Sequence, residues 1–514
     1  MLQRLRTMLG LAAASAVTGE TESRTHFRKS WTASRFDSSI VDDPERSGQV
    51  WYSPDYAARG EFESADTNRL NSAHWSAARD TPINDDLADR LPTMRTRSNH
   101  EAWNNTAIEG LILQHSIAVA GDNGPLLDLQ AEDEIGDTWC EAAEKVWEDW
   151  CEYSDAAGQL SLAARMKNFW NRGCWTNGEW FDQFVYPSDV DTPIKLRLHA
   201  VEPQRIQTPM TEAGNPDITL GIKRDSLRRP KEYWVANDWY GFNGGKWYTA
   251  DGFMHGYEQL EVGQARGVPW AQSGLPTAAD LRDYDDQVMD AARAAADMAI
   301  VLQTKHPDAP YVESKASVPF RRRRMTHVAP GWEAAQLQPH QPTAQYKDHR
   351  HERMGDLGRG KGVPSMVTRL DAREHNYSSA RFDRGLLHES AKHVRTTLYN
   401  PKLKVLVMRV LSEAILVGVL PPPPCRFGVE QIWPAMPQVD EDKSSRAENR
   451  YLGNGTLSYS AACAERHGRR ANDVIRIRQR DANRLAAAGL PSVAESVGTA
   501  QKSESSDQPQ TDKS

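Results

Sequence analysis

The sequence predicts an α+β fold that is predominantly helical. Three observations predict it: apolar residues recur at helical spacing over about 277–303, a second long helical stretch begins near Ser378, and short strand-like runs fill about 174–260. With 514 residues, the chain is long enough for several domains and a substantial buried core.

The overall charge is mildly acidic, with a formal net charge of −8 and a pI near 6.0. Tight DNA binders are usually basic, because Lys and Arg must neutralise phosphates. The composition therefore argues against a tight, static DNA binder. It is compatible with a channel through which DNA slides, because a mildly repulsive wall lowers friction.

Hydrophobic residues make up 39% of the chain and charged residues 26%, and no stretch reaches the roughly 18 apolar residues of a membrane-spanning helix. Sixteen Trp against eleven Phe indicate a firm core or large interfaces between subunits. None of the five cysteines lies in a CxxC pair, which predicts buried reduced thiols and a reducing compartment.

The first 80 residues give only weak signals. A basic start and the apolar run Met8–Val17 have the outline of a secretory signal, but the run is short and Ala-rich, which favours a flexible or processed leader on a cytoplasmic protein. Residues 20–80 are polar with scattered aromatic residues. They are typical of an arm that lies on other surfaces.

Helices are expected next. Acidic residues in Asp85-Asp86-Leu87-Ala88 suit a first helical turn, where the helix dipole favours negative charge. Over about 137–153 one apolar face is predicted, formed by Trp139, Ala143, Val146 and Trp150.

The β-rich region contains four apolar or alternating runs separated by Pro, Gly and Asn: Trp180–Tyr186, Ile194–Val201, Tyr233–Val235 and Lys246–Tyr248.

The clearest helix is predicted over 277–303, with Thr277 as its N-cap. Its apolar residues are spaced alternately three and four apart, as in a heptad seam: Leu281, Tyr284, Val288, Ala291, Ala295, Met298 and Leu302. This Ala-rich seam suits close packing against neighbouring helices. Packing on the core of its own domain is the alternative.

A proline-rich stretch, 304–342, then interrupts the helical pattern and carries the basic run Arg321-Arg322-Arg323-Arg324. Four guanidinium groups can pair with phosphates or with acidic protein surface. A solvated loop is the alternative interpretation.

A charged helical stretch, about 343–357, precedes a glycine-rich break at 358–362. The long helix from Ser378 is predicted to be kinked or ended by Pro401, and an apolar continuation covers 403–417. Residues 440–488 are again helical and charged. The tail from about 490 has almost no apolar residues and is predicted to be disordered.

The sequence contains no recognisable catalytic, metal or cofactor motif. The segment Asp348–Glu352 lacks the HExxH spacing, so a solvated helix face is favoured over a metal site. The glycines at 358–362 are not followed by Gly-Lys-Ser/Thr, and there is no GxSxG motif. We therefore expect a protein that is not an enzyme and binds no cofactor.

Several segments, in a fixed order over about 90–445, resemble the lambda-type family of phage portal proteins. The strongest is Gly263-Gln264-Ala265-Arg266-Gly267-Val268-Pro269, and the second combines Gly362-Val363-Pro364 with Asn376–Arg381. The weaker landmarks are Leu91–Ser98 running into Asn104-Asn105, Val201–Ile206, Gly221–Asp225, Tyr233-Trp234-Val235, Trp433-Pro434, Asp440 and Lys443.

The resemblance implies a portal-type protomer with a mixed α/β wing, a helical stem, a small clip and a helical crown. The implied parts are a flexible leader (1–24), the wing (25–276), stem helix 1 (277–303), the clip (304–342), stem helix 2 (343–364), the tunnel loop (365–377), a long wing helix and connection (378–439), the crown (440–488) and a disordered tail (489–514).

The resemblance also implies a homododecameric ring at one capsid vertex of the virion, assembled in the host cytoplasm. Double-stranded DNA would pass through it without base readout. The implied partners are terminase, a head–tail adaptor and the major capsid or scaffold proteins, with no membrane.

Two segments are the candidate functional sites. The expected DNA neighbours in the tunnel loop are Arg369, Asp371, Arg373, Glu374, His375, Asn376 and Arg381, of which the two acids would offset the cations and keep binding weak. The alternative is that Asn376–Arg381 only caps the long helix, with Ser378 or Ser379 as N-cap. In the clip, Arg321–Arg324 are expected to face DNA, terminase or adaptor proteins.

Two other classes of protein fit the sequence less well. A head–tail adaptor would usually be shorter. A nuclease or terminase subunit would need clustered carboxylates for two metal ions or a Walker loop, and the sequence shows neither.

Overall fold

Long helices and small antiparallel sheets make up the part of the chain that the computed structural model describes, which is residues 80–132, 134–296, 300–304, 332–336, 345–373, 375–435 and 441–489. The expected leader lies outside these residues, as do the arm except for Asp80 and the tail except for Gly489. None of the described helices is long and apolar enough to cross a membrane.

The helices are α1 (Ile83–Asn104), α2 (Thr106–Ala120), α3 (Glu134–Glu152), α4 (Leu162–Arg165), α5 (Arg172–Thr176), α6 (Leu275–Ala296), α7 (Tyr346–Arg359), α8 (Ser365–Arg369), α9 (Tyr377–Val394), α10 (Asn400–Leu416), α11 (Glu441–Gly453), α12 (Tyr459–His467) and α13 (Ala471–Ala487). Two π-helical segments, Met166–Asn171 and Arg395–Tyr399, join α4 to α5 and α9 to α10.

The strands are β1 (Leu126–Ala131), β2 (Glu179–Val185), β3 (Arg197–Val201), β4 (Ile218–Thr219), β5 (Ile222–Arg224), β6 (Pro230–Ala236), β7 (Gly245–Thr249), β8 (Phe253–Tyr257), β9 (Ile300–Thr304), β10 (Trp332–Gln336) and β11 (Phe427–Ile432). One antiparallel sheet has the order β3-β2-β8 and another β4-β5-β6-β7, while β1 pairs with β11 and β9 with β10. The β-rich region predicted over 174–260 is confirmed.

Tryptophan dominates the main core, as the composition indicated. Trp147, Trp150, Trp170 and Trp175 are all at most 1% exposed. The predicted apolar face of α3 is confirmed, since Trp139, Ala143 and Trp150 are buried and Val146 packs beside them. All five cysteines are free thiols, and three of them are buried.

A buried histidine lies inside this core and gives the fold an expected acid sensitivity. His115 is fully buried, and its Nδ1 accepts a hydrogen bond from Trp175 Nε1 at 3.1 Å. Burial lowers the pKa of His115 to about 4. The neutral imidazole is therefore the folded form at neutral pH.

Lowering the pH from 7 to 5 is expected to destabilise the fold partly through His115. Between pH 6.5 and 4 the unfolded chain binds a proton that the folded chain does not, which costs up to about 1.4 kcal/mol per pH unit. The variant His115→Gln should lose less stability over this range in urea unfolding followed by tryptophan fluorescence. An unchanged pH dependence would contradict this role.

The predicted helix 277–303 is wrong at both ends. Helix α6 begins at Leu275, so Thr277 lies in its first turn and is not the N-cap, and it ends at Ala296. Leu302 lies in strand β9, paired with Ala334 of β10. Heptad spacing persisted by coincidence through Ile300-Val301-Leu302, where β-branched and aliphatic residues favour a strand.

The described part of the seam packs within its own chain. Leu281 and Val288 are buried, and the ring of Tyr284 lies 5.7 Å from that of Tyr346 on α7. Asp285 accepts a hydrogen bond from Arg350 Nε at 3.0 Å. This supports the alternative of packing within the chain. Ala291 is half-buried, the Ala295 side chain and Met298 lie outside the description, and packing against a ring neighbour stays a prediction.

Pro401 does not end the long helix. Helix α9 continues through the π-segment Arg395–Tyr399 into α10, in which Pro401 is at the first turn. A proline lacks the amide that would bond one turn back, and the wider π-turn just before it accommodates this loss. The apolar continuation predicted over 403–417 is confirmed by α10, whose Leu403, Leu406 and Val410 are fully buried.

The helices predicted over 440–488 are confirmed as α11, α12 and α13. Arg470, just before α13, attaches them to the main core. It is 6% exposed, donates to the Leu127 carbonyl of β1 and bonds Glu148 of α3 at 2.7 Å. Burial raises the pKa of the neighbouring Glu144 to about 7, although Arg470 and the Leu129 amide oppose this.

Candidate functional site

The first candidate segment, 365–377, joins α7 to the long helix. Gly362, with a φ of +68°, and the buried Val363 and Pro364 turn the chain into the short helix α8. Leu370 ends α8 in the left-handed conformation, with a φ of +51°, and its side chain is exposed. The expected loop is therefore partly helical, because Ser365–Arg369 complete one turn.

Charges within this segment are paired with each other. Arg373 Nη2 lies 2.6 Å from Asp371 Oδ2, and the Arg373 amide donates to Asp371 Oδ1 at 3.0 Å. These bonds hold the pKa of Asp371 well below its ordinary value, so the acid stays ionised and offsets the arginine. His375 Nε2 lies 3.4 Å from Asp383 of α9.

Asn376 begins the long helix. Its side chain accepts from the Ser379 amide at 2.9 Å, and its own amide donates to Ser379 Oγ at 3.0 Å. This reciprocal capping box shows that the segment caps the helix, with Asn376 as the N-cap and not Ser378 or Ser379, while its contact with DNA stays a prediction. An Asn side chain in an extended N-cap satisfies an amide that the first turn leaves free.

The remaining predicted residues of this segment are spread along it. Arg369 is half-buried at the end of α8, and Arg381 is exposed on the first turns of α9, near the exposed Tyr377 and Phe382. Glu374 lies outside the described residues.

The second candidate segment, Arg321–Arg324, also lies outside the described residues. Strands β9 and β10 pair antiparallel, from Ile300 with Gln336 to Thr304 with Trp332. The segment thus lies in the long connection between β9 and β10, and the pairing of these two strands holds the ends of that connection together.

The segment Asp348–Glu352, considered above as a metal site, lies on α7. Asp348, His349 and Glu352 are exposed, and Arg350 pairs with Asp285 of α6. Among the residues that the structure describes, no group of three or more His, Cys, Asp or Glu side chains could hold a metal ion.

Sequence reasoning missed a buried charge cluster around Glu179, at the start of β2. Glu179 is fully buried and bonds Arg266 Nε at 2.7 Å, His255 Nε2 at 2.9 Å and the Gly267 amide at 3.0 Å. Arg95 of α1 donates to the same carboxylate. Burial alone would raise the pKa of Glu179, but Arg266, Arg95 and His255 hold it well below its ordinary value.

Several of the landmarks that carry the family resemblance converge on this cluster. Arg95 comes from the first landmark and Arg266 from the strongest one. Arg266 also donates to the carbonyls of Pro203 (2.7 Å), Ile206 (2.7 Å) and Leu220 (2.8 Å), which lie in or beside two further landmarks. The motif around Arg266 therefore has a structural role. Through Arg266 and Glu179 it links α1, the β3-β2-β8 sheet and the loops beside the β4-β5-β6-β7 sheet.

The glycine after Arg266 has a steric reason. A Cβ at Gly267 would lie 1.9 Å from the Gly178 carbonyl oxygen, so only glycine allows the two backbones to approach. The shared presence of Arg95 and Arg266 in the landmarks was the signal that could have revealed the cluster.

A second buried cluster lies on the same strand. Arg165 is fully buried, bonds Asp182 Oδ1 at 2.5 Å and the Leu198 carbonyl at 2.8 Å, and pairs with Asp155. Trp170 Nε1 donates to the other Asp182 oxygen at 2.6 Å. Burial raises the pKa of Asp182, although Arg165 and Trp170 oppose this.

The match to one protein-family model agrees with the motifs. The family model described as "Phage portal protein, lambda family" matches residues 68–394. The chain is also similar to a chain in the neck of an empty gene transfer agent particle, computed with C6 symmetry. The identity is 14%, the TM-score 0.41, and 83% of this chain and 99% of the other are covered.

Two further solved structures are similar. One is a chain in the neck of the native gene transfer agent particle, computed with C12 symmetry (14% identity, TM-score 0.41, 73% of this chain and 92% of the other). The other is an HK97-family phage portal protein from Corynebacterium diphtheriae (13% identity, TM-score 0.30, 56% and 85%). The family assignment rests on the match of the family model to residues 68–394.

Proposed function

The chain belongs to the lambda family of phage portal proteins, and we propose that it closes into a dodecameric ring at one capsid vertex, through which double-stranded DNA is packaged and ejected. The observation that carries this proposal is the family match over 68–394, and several of the sequence landmarks within that range meet at the Glu179 cluster. The wing, stem, clip and crown boundaries given above are part of the proposal, with α6 ending at Ala296.

We assign sequence-independent DNA contact to the segment 365–377 and the start of α9. The Asp371–Arg373 pair presents a cation whose charge is largely offset, and Arg381 adds an exposed cation nearby. Weak, backbone-directed contact suits a polymer that must keep moving. The connection between β9 and β10, which carries Arg321–Arg324, is proposed as the clip, to which terminase and the head–tail adaptor bind. Wing contacts with the capsid or scaffold proteins complete the proposal.

Negative-stain imaging of the purified protein tests the proposal. We expect closed rings of about twelve subunits with a central hole. A protein that stays monomeric at high concentration would refute it, and magnesium-dependent DNA cleavage by such a monomer would favour a nucleic-acid enzyme.

Replacing both Arg373 and Arg381 by Ala is expected to lower DNA packaging roughly tenfold and leave ring assembly intact. A single exposed charge contributes on the order of 1 kcal/mol or less, but its loss is repeated in every subunit. In the variant, Asp371 also loses its partner and repels phosphate. Packaging is measured as nuclease-protected DNA per particle.

The matched control is Arg229→Ala, which removes an exposed arginine that pairs with Asp225 in the turn between β5 and β6. It should package as the unaltered protein does. Equal packaging by the Arg373 and Arg381 double variant would remove this segment from the DNA path.

A further inference from the structure

The loop between β6 and β7 is held rigidly. The Asp238 carboxylate accepts hydrogen bonds from the amides of Tyr240 (2.9 Å), Phe242 (3.3 Å) and Asn243 (2.7 Å). Asn237 Nδ2 donates to the Asn243 carbonyl at 2.8 Å. At Gly241 the φ is +75°, and a Cβ there would lie 2.3 Å from Gln207 Nε2, so the loop rests on this side chain. We call residues 238–243 the aromatic loop.

This rigid loop presents three aromatic side chains to solvent. Trp239 is 50% exposed, Tyr240 71% and Phe242 85%, and the Tyr240 and Phe242 rings are stacked with centroids 5.8 Å apart. Because the loop is already ordered, binding through it loses little conformational entropy. Each aromatic side chain can bury about 150–250 Å², so the loop can supply much of one side of an interface.

A complementary surface lies on the long helix. Val405, Met408 and Leu416 of α10 are exposed and follow one helix face, with Pro401 one turn before Val405 and Ser412 between Met408 and Leu416. Tyr186, 57% exposed, also lines this open groove, which has a volume of about 920 Å³. We call this surface the helix groove.

The charges of the two surfaces are complementary. Lys404 is exposed at the rim of the helix groove. Arg409 also lines the groove, so its two cations outnumber its one carboxylate, Glu413, which accepts from the amides of Lys195 (2.7 Å) and Leu196 (3.1 Å). On the aromatic loop, the backbone amides hold the pKa of Asp238 below its ordinary value and keep it anionic. Aromatic faces also attract ammonium groups.

We propose that the aromatic loop of one subunit docks into the helix groove of the next subunit in the ring. Both surfaces are exposed in the same chain, so neither covers the other within one subunit. They are different patches on different elements, and contacts of that kind are head-to-tail and close into a ring when the rotation allows. The inference rests on the proposed ring and specifies the contact that closes it.

Photo-crosslinking of the full chain tests the contact. Phe242 is replaced by p-benzoylphenylalanine, and rings are assembled from equal amounts of this chain and an isotope-labelled unaltered chain. We expect cross-linked peptides that join position 242 to residues 401–416 of the labelled chain. The control carries the same group at Met210, which is 93% exposed and lies in neither surface.

The outcomes separate the two proposals. If rings form and position 242 cross-links elsewhere on the neighbour, or only to another virion protein, the loop-to-groove contact is wrong and the ring stands. If the unaltered chain forms no rings, both proposals fall.

A charge exchange gives a second test that does not depend on labelling. Met408→Glu places an anion opposite the loop, and we expect at least a tenfold higher protein concentration for half-maximal ring formation. Combining it with Phe242→Lys should restore most of the loss. Met408 is 43% exposed, and unchanged circular dichroism would show that the subunit still folds. Ring formation that is equal in all variants overturns the contact.

Discussion

Replacing Glu179 by Gln is expected to lower the free energy of unfolding by about 3–5 kcal/mol, because it leaves two buried arginines without their counter-charge. Arg95 and Arg266 are 6% and 2% exposed, so water cannot take over the role of the carboxylate. Burial lowers the pKa of Arg95 to about 10, so it remains a cation at neutral pH. Urea unfolding at one fixed protein concentration measures the effect.

The control for this variant is Glu109→Gln. Glu109 also bonds an arginine, Arg172, at 2.7 Å, but its side chain is 48% exposed. An exposed pair contributes about 0–1 kcal/mol. Equal losses in the two variants would show that burial does not set the strength of the Glu179 cluster.

The Glu179 cluster should also limit acid stability. A carboxylate whose folded pKa lies below its unfolded value stabilises the fold above the unfolded pKa, near 4.3, and this contribution is lost as the pH falls through the folded pKa. Burial lowers the pKa of His255 to about 4, although Glu179 opposes this. His255 therefore makes the folded state less stable as the pH falls below about 6.5, where the unfolded chain begins to bind a proton on this side chain.

Replacing Arg165 by Met is expected to cost a similar 3–5 kcal/mol at pH 7, with a distinctive pH dependence. Asp155 and Asp182 would be left as two buried anions. The pKa of Asp182, already raised by burial, should rise further. Because the folded-state pKa of Asp182 is raised, the variant regains stability as the pH falls and this carboxylate is protonated. The difference in free energy of unfolding between the variant and the unaltered protein should therefore shrink from pH 7 to pH 5.

Urea midpoints of both proteins at the two pH values measure this difference. Adding Asp182→Asn to the Arg165→Met variant should restore part of the stability at pH 7, because it removes one of the uncompensated charges. A double variant that is less stable than the single one, or a difference that grows on acidification, would refute the account.

Local periodicity predicted most elements of the fold, and it failed where distant contacts decide. The apolar face of α3 and the helix α10 were found because a 3.6-residue repeat is a local property. Leu302 fitted the same repeat, yet it lies in β9, because pairing with β10 outweighs the spacing of one side chain. Pro401 was given too much weight, since a preceding π-turn was not foreseen.

The helix cap near Asn376 was predicted from the sequence and the Glu179 cluster was not, for a similar reason. A helix cap within Asn376–Arg381 was foreseen because capping depends on residues three apart, but it was assigned to Ser378 or Ser379, whereas the structure has Asn376 as the N-cap. Glu179 did not stand out, because it begins an ordinary strand and its partners, Arg95 and Arg266, lie 84 and 87 residues away. Burial of a charge is decided by such long-range contacts, which a single sequence does not display.

The π-segment Arg395–Tyr399 sets the rotational phase between the two halves of the long helix. An α-helix advances about 100° per residue, and a π-turn accommodates one residue more than an α-turn does. Without that residue, the helix face that carries Met408 would be rotated by about a quarter-turn relative to the face that carries Phe382, compared with the present structure. A single-residue insertion or deletion there would therefore rotate one half of this forty-residue helix about its axis relative to the other half. The packing faces of the two halves would no longer point in their present directions, although no packing residue had been replaced.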